Sequence, residues 1–581
     1  MGALRLDLLR RYLWPHRRQL LLGVVALLVV NGLGVTIPLL VRRVVEDLQG
    51  GFSFAKVLGQ AGWIIGLATV MAGVRLLSRM LVFGVGRQVE VDLKQQLFDH
   101  LLRQEPAWVQ ATASGEVLSR ATSDVENVRR LLGFAVLSLT NTVLAYGLTL
   151  PAMVAIDPWL TLAAVALYPL MLLGVRNFGG RMMREQRRQQ EALAQLTNLL
   201  QEDLSGISAI KIYGQELVEE QAFAAFNRAY RDAALGPARS RSVLFPLIEG
   251  IASISLLVLL GLGSTQLENG RLSIGDLVAL ILYVERLVFP TALLGFTLNT
   301  FQTGQVSLER IETLLQRQPM IVSPAQPIPL PQLSAGALEA RGLTVSYPGS
   351  LQPALSALSF SIRPGELVAV VGPVGCGKST LARALGRMVE VPEQQLFLDG
   401  HDVTTLALED LRRQVALVPQ EGFLFTATLA DNLRYGEPSA PLERVQEAAR
   451  LAQLAADIRG FPDGYQTLVG ERGITLSGGQ RQRTALGRAL LVPSSILVLD
   501  DALASVDNRT AAAILRAVRD QQKRTVLLIS HQLSAAAACD RILVMEAGRL
   551  VQEGRHEDLV VAQGTYRRLW EREQAEQLQT A

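Results

Sequence analysis

Six long apolar stretches in the first half of the chain constrain its fold more than any other feature of the sequence. A helix needs about 20 apolar residues to cross a hydrocarbon core about 30 Å thick, and each stretch reaches that length. No comparable stretch follows Thr300. The sequence therefore predicts a membrane α-helical bundle of six transmembrane helices, followed by a soluble region. The predicted spans are Leu20–Val41, Val57–Val85, Leu131–Ile156, Pro158–Phe178, Val243–Leu267 and Ile274–Thr300.

The composition agrees with a chain that lies partly in lipid. Of the 581 residues, 49% are hydrophobic and 19% are charged, which excludes an intrinsically disordered chain. The formal net charge of +3 is too small for a protein that coats nucleic acid, so no nucleic-acid partner is expected. The two cysteines, Cys376 and Cys539, form no zinc-binding pattern.

The connections between the spans predict the topology in the membrane. Those after the second and fourth spans are long and rich in arginine, and arginine-rich connections stay in the cytoplasm. Both termini are then cytoplasmic too, as in a bacterial inner-membrane protein. The long connections have helical composition, so the membrane helices are expected to continue into the cytoplasm. The basic segment Met1–Arg18 is predicted to be an uncleaved interfacial segment, because the apolar run after it is too long for a signal peptide.

A proline-rich stretch divides the chain and is typical of an extended linker. Beyond it, short runs of Val, Ile and Leu alternate with helical segments, the pattern of a buried, mainly parallel sheet in an α/β domain. Examples are Leu367–Val371, Ile496–Leu499 and Thr525–Ile529. The predicted boundaries are 1–315 for the transmembrane domain, 316–337 for the linker and 338–581 for the α/β domain.

The segment Gly372–Ser379 is a complete G-x4-G-K-S phosphate loop between a predicted strand and a predicted helix. Its glycines let backbone N–H groups face the phosphates of ATP, Lys378 neutralises the phosphates, and Ser379 offers its hydroxyl to Mg²⁺. Cys376 completes the loop without a redox role. The predicted ATP-binding residues here are Gly372, Gly375, Cys376, Gly377, Lys378, Ser379 and Thr380.

The apolar strand Ile496–Leu499 ends in Asp500. This is the position expected of a carboxylate that holds the Mg²⁺ of a bound nucleotide. Together, the phosphate loop and Asp500 predict that this domain binds ATP and Mg²⁺.

The pentapeptide Leu476–Gln480, LSGGQ, stands between these two elements. It resembles the signature of ATP-binding cassette (ABC) proteins. The resemblance implies that two cassettes close around two ATP molecules, and that the signature of one subunit contacts the γ-phosphate held by the other. A helix N-terminus at a glycine turn is physically suited to bind such an anion. The implied nucleotide-binding residues are Ser477, Gly478, Gly479 and Gln480.

The resemblance assigns roles to further single residues. Tyr347 is similar to the aromatic residue that stacks on adenine. Gln420 is similar to the glutamine that contacts Mg²⁺ and the attacking water, and His531 to the histidine that contacts the γ-phosphate. The segment Glu471–Gly473 resembles the loop that couples a cassette to the membrane domain in exporters.

Asp501 departs from the family pattern, in which glutamate follows the strand aspartate and polarises the attacking water. Aspartate is one methylene shorter, and a displacement of about 1 Å can lower a rate on the order of 100-fold. We therefore expect slow or absent hydrolysis over this chain's own phosphate loop. The next residues, Ala504–Asp507, also differ from the usual S-A-L-D. The resemblance is then to one subunit of a heterodimer whose partner supplies the catalytic glutamate.

The membrane half resembles the same family. Segments near residues 110–126 and 206–220 resemble the coupling segments of type IV ABC exporters, and six spans followed by one cassette is their half-transporter layout. Multidrug exporters and the antigen-peptide transporter share this architecture. The resemblance implies that two such chains work together in membrane lipid and move a hydrophobic drug-like molecule, a lipid or a peptide.

Two alternatives remain open. A homodimeric lipid flippase or exporter has the same layout, and a nucleotide-gated regulatory membrane protein is a candidate from another class. Charged residues in or near the spans, among them Glu249 and Glu285, are expected to face a cavity or one another. These two carboxylates attract cationic or peptide substrates on one hypothesis and pair between helices on the other.

Overall fold

The computed structural model describes residues 6–50, 53–331, 334–470, 473–520 and 524–580. The chain divides into two compact units. The helical unit contains residues 1–102 and 115–317, and the α/β unit contains residues 103–114 and 318–581. A short segment of the first half, residues 103–114, therefore belongs with the second half.

The chain up to residue 315 is helical almost throughout. Its helices are α1 (Leu6–Leu13), α2 (Arg17–Gly50), α3 (Phe54–Leu101), α4 (Pro106–Ala111), α5 (Ser114–Ser119), α6 (Val125–Arg130), α7 (Val136–Ile156), α8 (Pro158–Val165), α9 (Tyr168–Ser205), α10 (Ile207–Tyr213), α11 (Glu216–Glu268) and α12 (Ile274–Leu315).

Among the described residues, six helical segments are long and apolar enough to cross a membrane, which confirms the six predicted spans. Each extends beyond its predicted apolar stretch. The longest has 53 residues, or about 80 Å of helix, far more than the hydrocarbon core requires. The six segments are Asp7–Gln49, Phe54–Leu101, Ser114–Ile156, Pro158–Ser205, Glu216–Glu268 and Ile274–Leu315.

Side-chain caps make two of the short connections between spans possible. Asp157 accepts a hydrogen bond from the Leu160 backbone N–H at 2.8 Å, directly before α8. Ser273 and Asp276 form a reciprocal capping box at the start of α12. Each cap satisfies backbone donors that a helix N-terminus leaves free, so the chain can reverse direction within a few residues.

The α/β unit contains two sheets. A four-stranded sheet has the order β2-β1-β4-β5 and is antiparallel, whereas a six-stranded sheet has the order β10-β9-β3-β8-β7-β6 and is parallel from β9 to β6. The parallel sheet confirms the predicted α/β fold. The strands are β1 (Leu338–Val345), β2 (Leu355–Ile362), β3 (Leu367–Val371), β4 (Leu396–Leu398), β5 (His401–Asp402), β6 (Val415–Val418), β7 (Ile496–Asp500), β8 (Thr525–Ile529), β9 (Arg541–Glu546) and β10 (Arg549–Gly554).

The central strands are buried on both faces. Every residue of β3, β7 and β8 is buried, and alternate residues pack into two different hydrophobic clusters: Val368 and Val370 in one, Ala369 and Val371 in the other. The carboxyl ends of these strands meet at one edge of the sheet, where ligands bind in open α/β folds. The helices of this unit are α13 (Lys378–Leu385), α14 (Leu408–Gln414), α15 (Leu429–Arg434), α16 (Leu442–Leu451), α17 (Ala455–Arg459), α18 (Gly478–Leu491), α19 (Asn508–Asp520), α20 (Leu533–Ala536), α21 (His556–Val561) and α22 (Thr565–Thr580).

The described part of the proline-rich stretch lies along the α/β unit. Ile328 donates its backbone N–H to the Thr405 carbonyl at 2.9 Å, and Ser323 Oγ accepts from the Leu408 backbone N–H at 3.0 Å. The division between the two units falls between Arg317 and Gln318. This stretch is therefore held in place by hydrogen bonds where the sequence pattern predicts an extended linker.

Candidate nucleotide-binding site

The phosphate loop connects the end of β3 to the first residue of α13. Gly375 and Gly377 have φ values of +80° and +99°, in the region that favours glycine. At Gly377 a Cβ would also overlap the Ala354 carbonyl oxygen. The loop can take this shape only with glycine at these positions, and its tight turn leads into the N-terminus of α13, where anions are stabilised.

Lys378 lies inside the loop. Its side chain is buried, and Nζ donates to the backbone carbonyls of Gly372 at 2.7 Å and Pro373 at 2.9 Å. These neutral acceptors hold the ammonium at the centre of the loop. The ammonium of Lys378 and the N-terminus of α13 thus both favour an anion at the phosphate loop, which suits the binding of a phosphate.

Ser379 and Asp500 form the point where the phosphate loop meets β7. Ser379 Oγ donates to Asp500 Oδ1 at 3.0 Å. Burial raises the pKa of Asp500 above its ordinary value; the Ser379 hydrogen bond opposes this effect and the neighbouring charge of Asp501 adds to it. A cation beside Asp500 would offset the cost of keeping this carboxylate ionised.

This pair fits a magnesium ion that is bound together with a nucleotide. Mg²⁺ prefers oxygen ligands and takes one or two protein groups, with the remainder supplied by phosphates and water. The described residues contain no group of three or more His, Cys, Asp or Glu side chains that could hold a metal alone. The hydroxyl of Ser379 and the carboxylate of Asp500 therefore suit Mg²⁺ carried by ATP rather than a resident metal.

Asp501 brings two other predicted residues together. Its carboxylate is buried, with Oδ1 3.4 Å from the His531 backbone N–H and Oδ2 3.4 Å from Gln420 Nε2. Its φ of +52° is uncommon for a residue other than glycine, although aspartate tolerates it better than most. Asp501 thus links the loops after β6 and β8, and the His531 contact uses the main chain rather than the imidazole.

Tyr347 lies beside α13. Its hydroxyl is 3.3 Å from Thr380 Oγ1, and Arg383 Nη1 donates to it at 3.5 Å. The side chain packs against the core cluster that also contains Leu381. The predicted adenine-contacting residue is therefore attached to the helix that begins at the phosphate loop.

The signature residues form the N-terminus of α18. Ser477 is the N-cap: its Oγ accepts from the Gln480 backbone N–H at 3.2 Å, and Gln480 Oε1 accepts from the Ser477 backbone N–H at 3.0 Å. This reciprocal capping box makes Gly478 and Gly479 the first turn of the helix. A Cβ at Gly479 would lie 2.9 Å from the Ser505 carbonyl oxygen, so glycine allows close approach of the loop after β7.

Two residues that sequence reasoning missed hold the signature helix in place. Gln482 Oε1 accepts from the Ser505 backbone N–H at 2.9 Å, and its Nε2 donates to the Gln420 carbonyl at 3.4 Å. Asp457 accepts from Gln480 Nε2 at 3.0 Å and pairs with Arg483 at 2.9 Å. The position of Gln482, two residues after the signature, is the only local signal of its role.

The predicted site residues thus fall into two groups. Contacts join Lys378 to the phosphate loop and join Ser379 with Asp500, while Asp501 contacts Gln420 and His531. In the described part of the chain, the hydrogen bonds of the signature residues 477–480 run to the α16–α18 region instead. The coupling-loop residues Glu471 and Arg472 lie outside the described residues.

The carboxylates of Glu249 and Glu285 lie on α11 and α12. Both residues are exposed, and among the described residues neither carboxylate forms an ion pair or a hydrogen bond. Helix-to-helix pairing within this chain is therefore not observed for either residue.

Two family models match the chain. The model described as the ABC transporter transmembrane region matches residues 20–291, and the model described as ABC transporter matches residues 355–504. The second match includes the phosphate loop, the signature and the strand that ends in Asp500.

Similar proteins match over almost the whole chain. The multidrug resistance-like ATP-binding protein MdlA of Escherichia coli (strain K12) is 33% identical over 97% of this chain and 96% of its own length. The ATP-dependent lipid A-core flippase of Syntrophus aciditrophicus (strain SB) is 31% identical over 98% of this chain and 95% of its own length. A solved structure of a bacterial Atm1-family ABC exporter with ATP bound has a TM-score of 0.78 at 27% identity and covers 99% of both chains.

Six spans, an α/β unit with a complete phosphate loop and full-length relatives agree on one assignment. The chain is a membrane protein that binds ATP and couples ATP hydrolysis to transport, and half-transporters of this type work as dimers. It belongs to the ABC transporter family, as an exporter half-transporter.

Proposed function

We propose that this chain is one subunit of a heterodimeric exporter with two unequal ATP sites. In this proposal its own phosphate loop binds ATP that is hydrolysed slowly or not at all. Its signature completes the active site over the phosphate loop of the partner. The observation that carries the proposal is aspartate at position 501, where the family has glutamate.

The surroundings of Asp501 support a weak base at this position. The carboxylate is one methylene shorter than glutamate and is buried between the Gln420 side chain and the His531 backbone N–H, 3.4 Å from each. Both contacts direct the carboxylate oxygens to protein donors. A base displaced by about 1 Å from its water can lose on the order of 100-fold in rate.

The remaining predicted residues have roles in binding the nucleotide. In this proposal the phosphate loop residues from Gly372 to Thr380 hold the phosphates, and Tyr347 contacts adenine. Mg²⁺ would be held by Ser379, Gln420 and Asp500, where it supplies positive charge against the phosphate oxygens. His531 would contact the γ-phosphate.

The signature acts on the other nucleotide. Ser477, Gly478, Gly479 and Gln480 form an N-terminal turn whose contacts within this chain are satisfied by the capping box and by Asp457. The backbone N–H groups of the first turn suit a γ-phosphate supplied from outside the chain. The partner would provide the catalytic glutamate. This combination resembles the TmrB subunit of the heterodimeric multidrug exporter TmrAB.

The proposed substrate is an apolar drug-like molecule, a lipid or a peptide, moved across a bacterial inner membrane with the α/β unit and both termini in the cytoplasm. Relatives named for multidrug resistance and for lipid A-core flipping support this range. The proposed domains are 1–315, 316–337 and 338–581, with coupling segments near 110–126 and 206–220.

A second candidate is a homodimeric lipid flippase or exporter. The specific observation in its favour is that full-length lipid A-core flippases are among the relatives at 30–31% identity. In a homodimer Asp501 would serve as the base in both sites. The two candidates therefore differ in whether the chain hydrolyses ATP without a partner of different sequence.

Steady-state ATPase activity in lipid nanodiscs separates them. The wild-type chain and Asp501→Glu are each measured alone and with a co-expressed neighbouring half-transporter. Turnover only with the partner, with extra activity of the pair from Asp501→Glu, is the expected result. Asp520→Glu makes the same chemical change at an exposed position of α19 and serves as the control. Brisk hydrolysis by the wild-type chain alone would establish the homodimer instead.

A further inference from the structure

Arg286 is an ionisable residue in the interior of the sixth span. Its Nη2 donates to Asn31 Oδ1 at 3.1 Å and to the Asn31 carbonyl at 3.4 Å, and Asn31 Nδ2 donates in turn to Asn141 Oδ1 at 3.1 Å. The three residues lie on α12, α2 and α7. A guanidinium is thus held between three membrane helices by neutral amide groups.

The first span leaves room for this guanidinium. A Cβ at Gly34 would overlap the Arg286 side chain, so glycine at this position allows the cation to lie against α2. The Arg286 Nε atom is shielded from solvent and has no hydrogen-bond partner. Nη2 thus donates both hydrogen bonds to Asn31, whereas the Nε donor is unpaired.

No carboxylate neutralises Arg286 within the described residues. Its hydrogen bonds go only to Asn31, and it forms no ion pair with its chain neighbour Glu285. Successive side chains on a helix point about 100° apart, which directs the two groups to different sides of α12.

A charge in a membrane interior is costly, and such charges usually pair or mark a substrate pathway. Here the hydrogen bonds of the Arg286 guanidinium go to neutral groups. The missing component is an anion. A carboxylate, sulfonate or phosphate accepts several hydrogen bonds from one guanidinium.

We propose that Arg286, placed by Asn31 and Asn141, binds the negatively charged head group of an amphiphilic substrate. This inference rests on the export function proposed above and narrows its substrate class to amphiphiles with a carboxylate, sulfonate or phosphate group. The apolar part of such a molecule would lie among the spans. Both a free anionic amphiphile and an anionic lipid carry the chemistry that this site recognises.

The test is equilibrium binding to the full-length chain in phosphatidylcholine nanodiscs. The probes are a fluorescent C12 fatty acid and its methyl ester, followed by fluorescence anisotropy, with empty nanodiscs to subtract partitioning. We expect wild type to prefer the carboxylate, and Arg286→Gln to weaken carboxylate binding about tenfold, because hydrogen bonds to charged groups are the strong ones. The ester should change by less than about twofold.

Gly34→Ala is a second variant for the case in which Arg286→Gln does not fold. Alanine is favourable in a helix but would displace the guanidinium, so the same selective loss of carboxylate binding is expected. Arg79→Gln makes the same chemical change at an exposed position of α3 and is the control, with no selective effect expected. Equal losses for both probes in Arg286→Gln and Gly34→Ala, or no loss in either, would overturn the proposal.

A second arm identifies the source of the anion. Nanodiscs that contain phosphatidylglycerol should weaken probe binding by wild type, but not by Arg286→Gln, if anionic lipid occupies the site. Unchanged binding in these nanodiscs indicates that the site takes a free amphiphile. The binding measurement involves no hydrolysis and does not depend on the identity of the partner, so failure of the heterodimer proposal would leave these results in place.

Discussion

The phosphate loop and the signature helix are two anion-binding elements of the α/β unit, and they are stabilised in different ways. The phosphate loop encloses its own cation, since Lys378 is bound by carbonyls five and six residues away. The signature is a capped helix end held in position by Gln482 and Asp457, and the arginines that contact it, Arg481 and Arg483, follow it in the chain. The first element should therefore respond most to a change of charge, and the second to a change of shape.

Removal of the charge from the phosphate loop should have the largest effect. We expect Lys378→Ala to weaken ATP binding at this chain's own site about 10- to 100-fold, because the variant loses charge-assisted hydrogen bonds to the phosphates. Binding of a fluorescent ATP analogue to the purified chain measures this. Lys211→Ala, which alters an exposed lysine of the helical unit, is the control. If Lys378→Ala bound the ATP analogue as tightly as wild type, the phosphate loop would not depend on its charge as this comparison expects.

A change of shape at the signature should cost stability. We expect Gly479→Ala to destabilise the α/β unit by about 1–3 kcal/mol, because the added Cβ presses on the Ser505 carbonyl. Gly478→Ala is a matched variant, since a Cβ there meets no atom nearer than 4.0 Å. Thermal unfolding should show a lower midpoint for Gly479→Ala than for Gly478→Ala. Equal midpoints would mean that the loop after β7 moves to accommodate the added Cβ without a loss of stability.

Gln482 tests whether the position of the signature helix depends on hydrogen bonds. We expect Gln482→Leu to cost about 1 kcal/mol, since the Ser505 N–H loses its acceptor in a half-buried place. Hydrogen exchange should then accelerate in the loops that contain Gln420 and Ser505. Gln482→Glu keeps the acceptor and removes the donor, so it should affect the Gln420 loop alone. If both variants protected these loops from hydrogen exchange as well as wild type does, Gln482 would not be what holds the signature helix in position.

The smallest effect is expected at Asp501. If the partner supplies the catalytic base, Asp501→Asn should change the ATPase activity of the pair by less than about twofold, because it removes no interaction that is made only in the transition state. ATPase assays of the co-expressed pair measure this change. A loss of more than about tenfold would show that Asp501 is a base and that the two sites are alike.

The features predicted from sequence depend on residues that are close in the chain. The spans follow from the length of the apolar stretches, and the parallel strands follow from short apolar runs. The phosphate loop follows from eight consecutive residues whose glycines permit a tight turn. The structure and the family comparisons confirm the six spans, the α/β fold and ATP binding. The roles of the individual site residues stay predictions.

The contacts that sequence pattern cannot show are those between distant residues. Gln482 joins Gln420 and Ser505, which lie 62 and 23 positions away, and Arg286 is 255 positions from Asn31. No periodicity relates such residues, because their proximity depends on how helices and strands pack. The proline-rich stretch shows the same limit, since its composition does not reveal the hydrogen bonds that hold it.

The short segment 103–114, which belongs to the α/β unit, has a mechanical consequence. The chain passes between the two units three times, after Leu102, Ser114 and Arg317. Residues 318–581 are joined covalently to the helical unit after Arg317, next to the sixth span, whereas the segment 103–114 is joined to it at both ends, next to the second and third spans. After a cut behind Arg317, noncovalent contacts with the segment 103–114 would therefore have to carry a pull on residues 318–581.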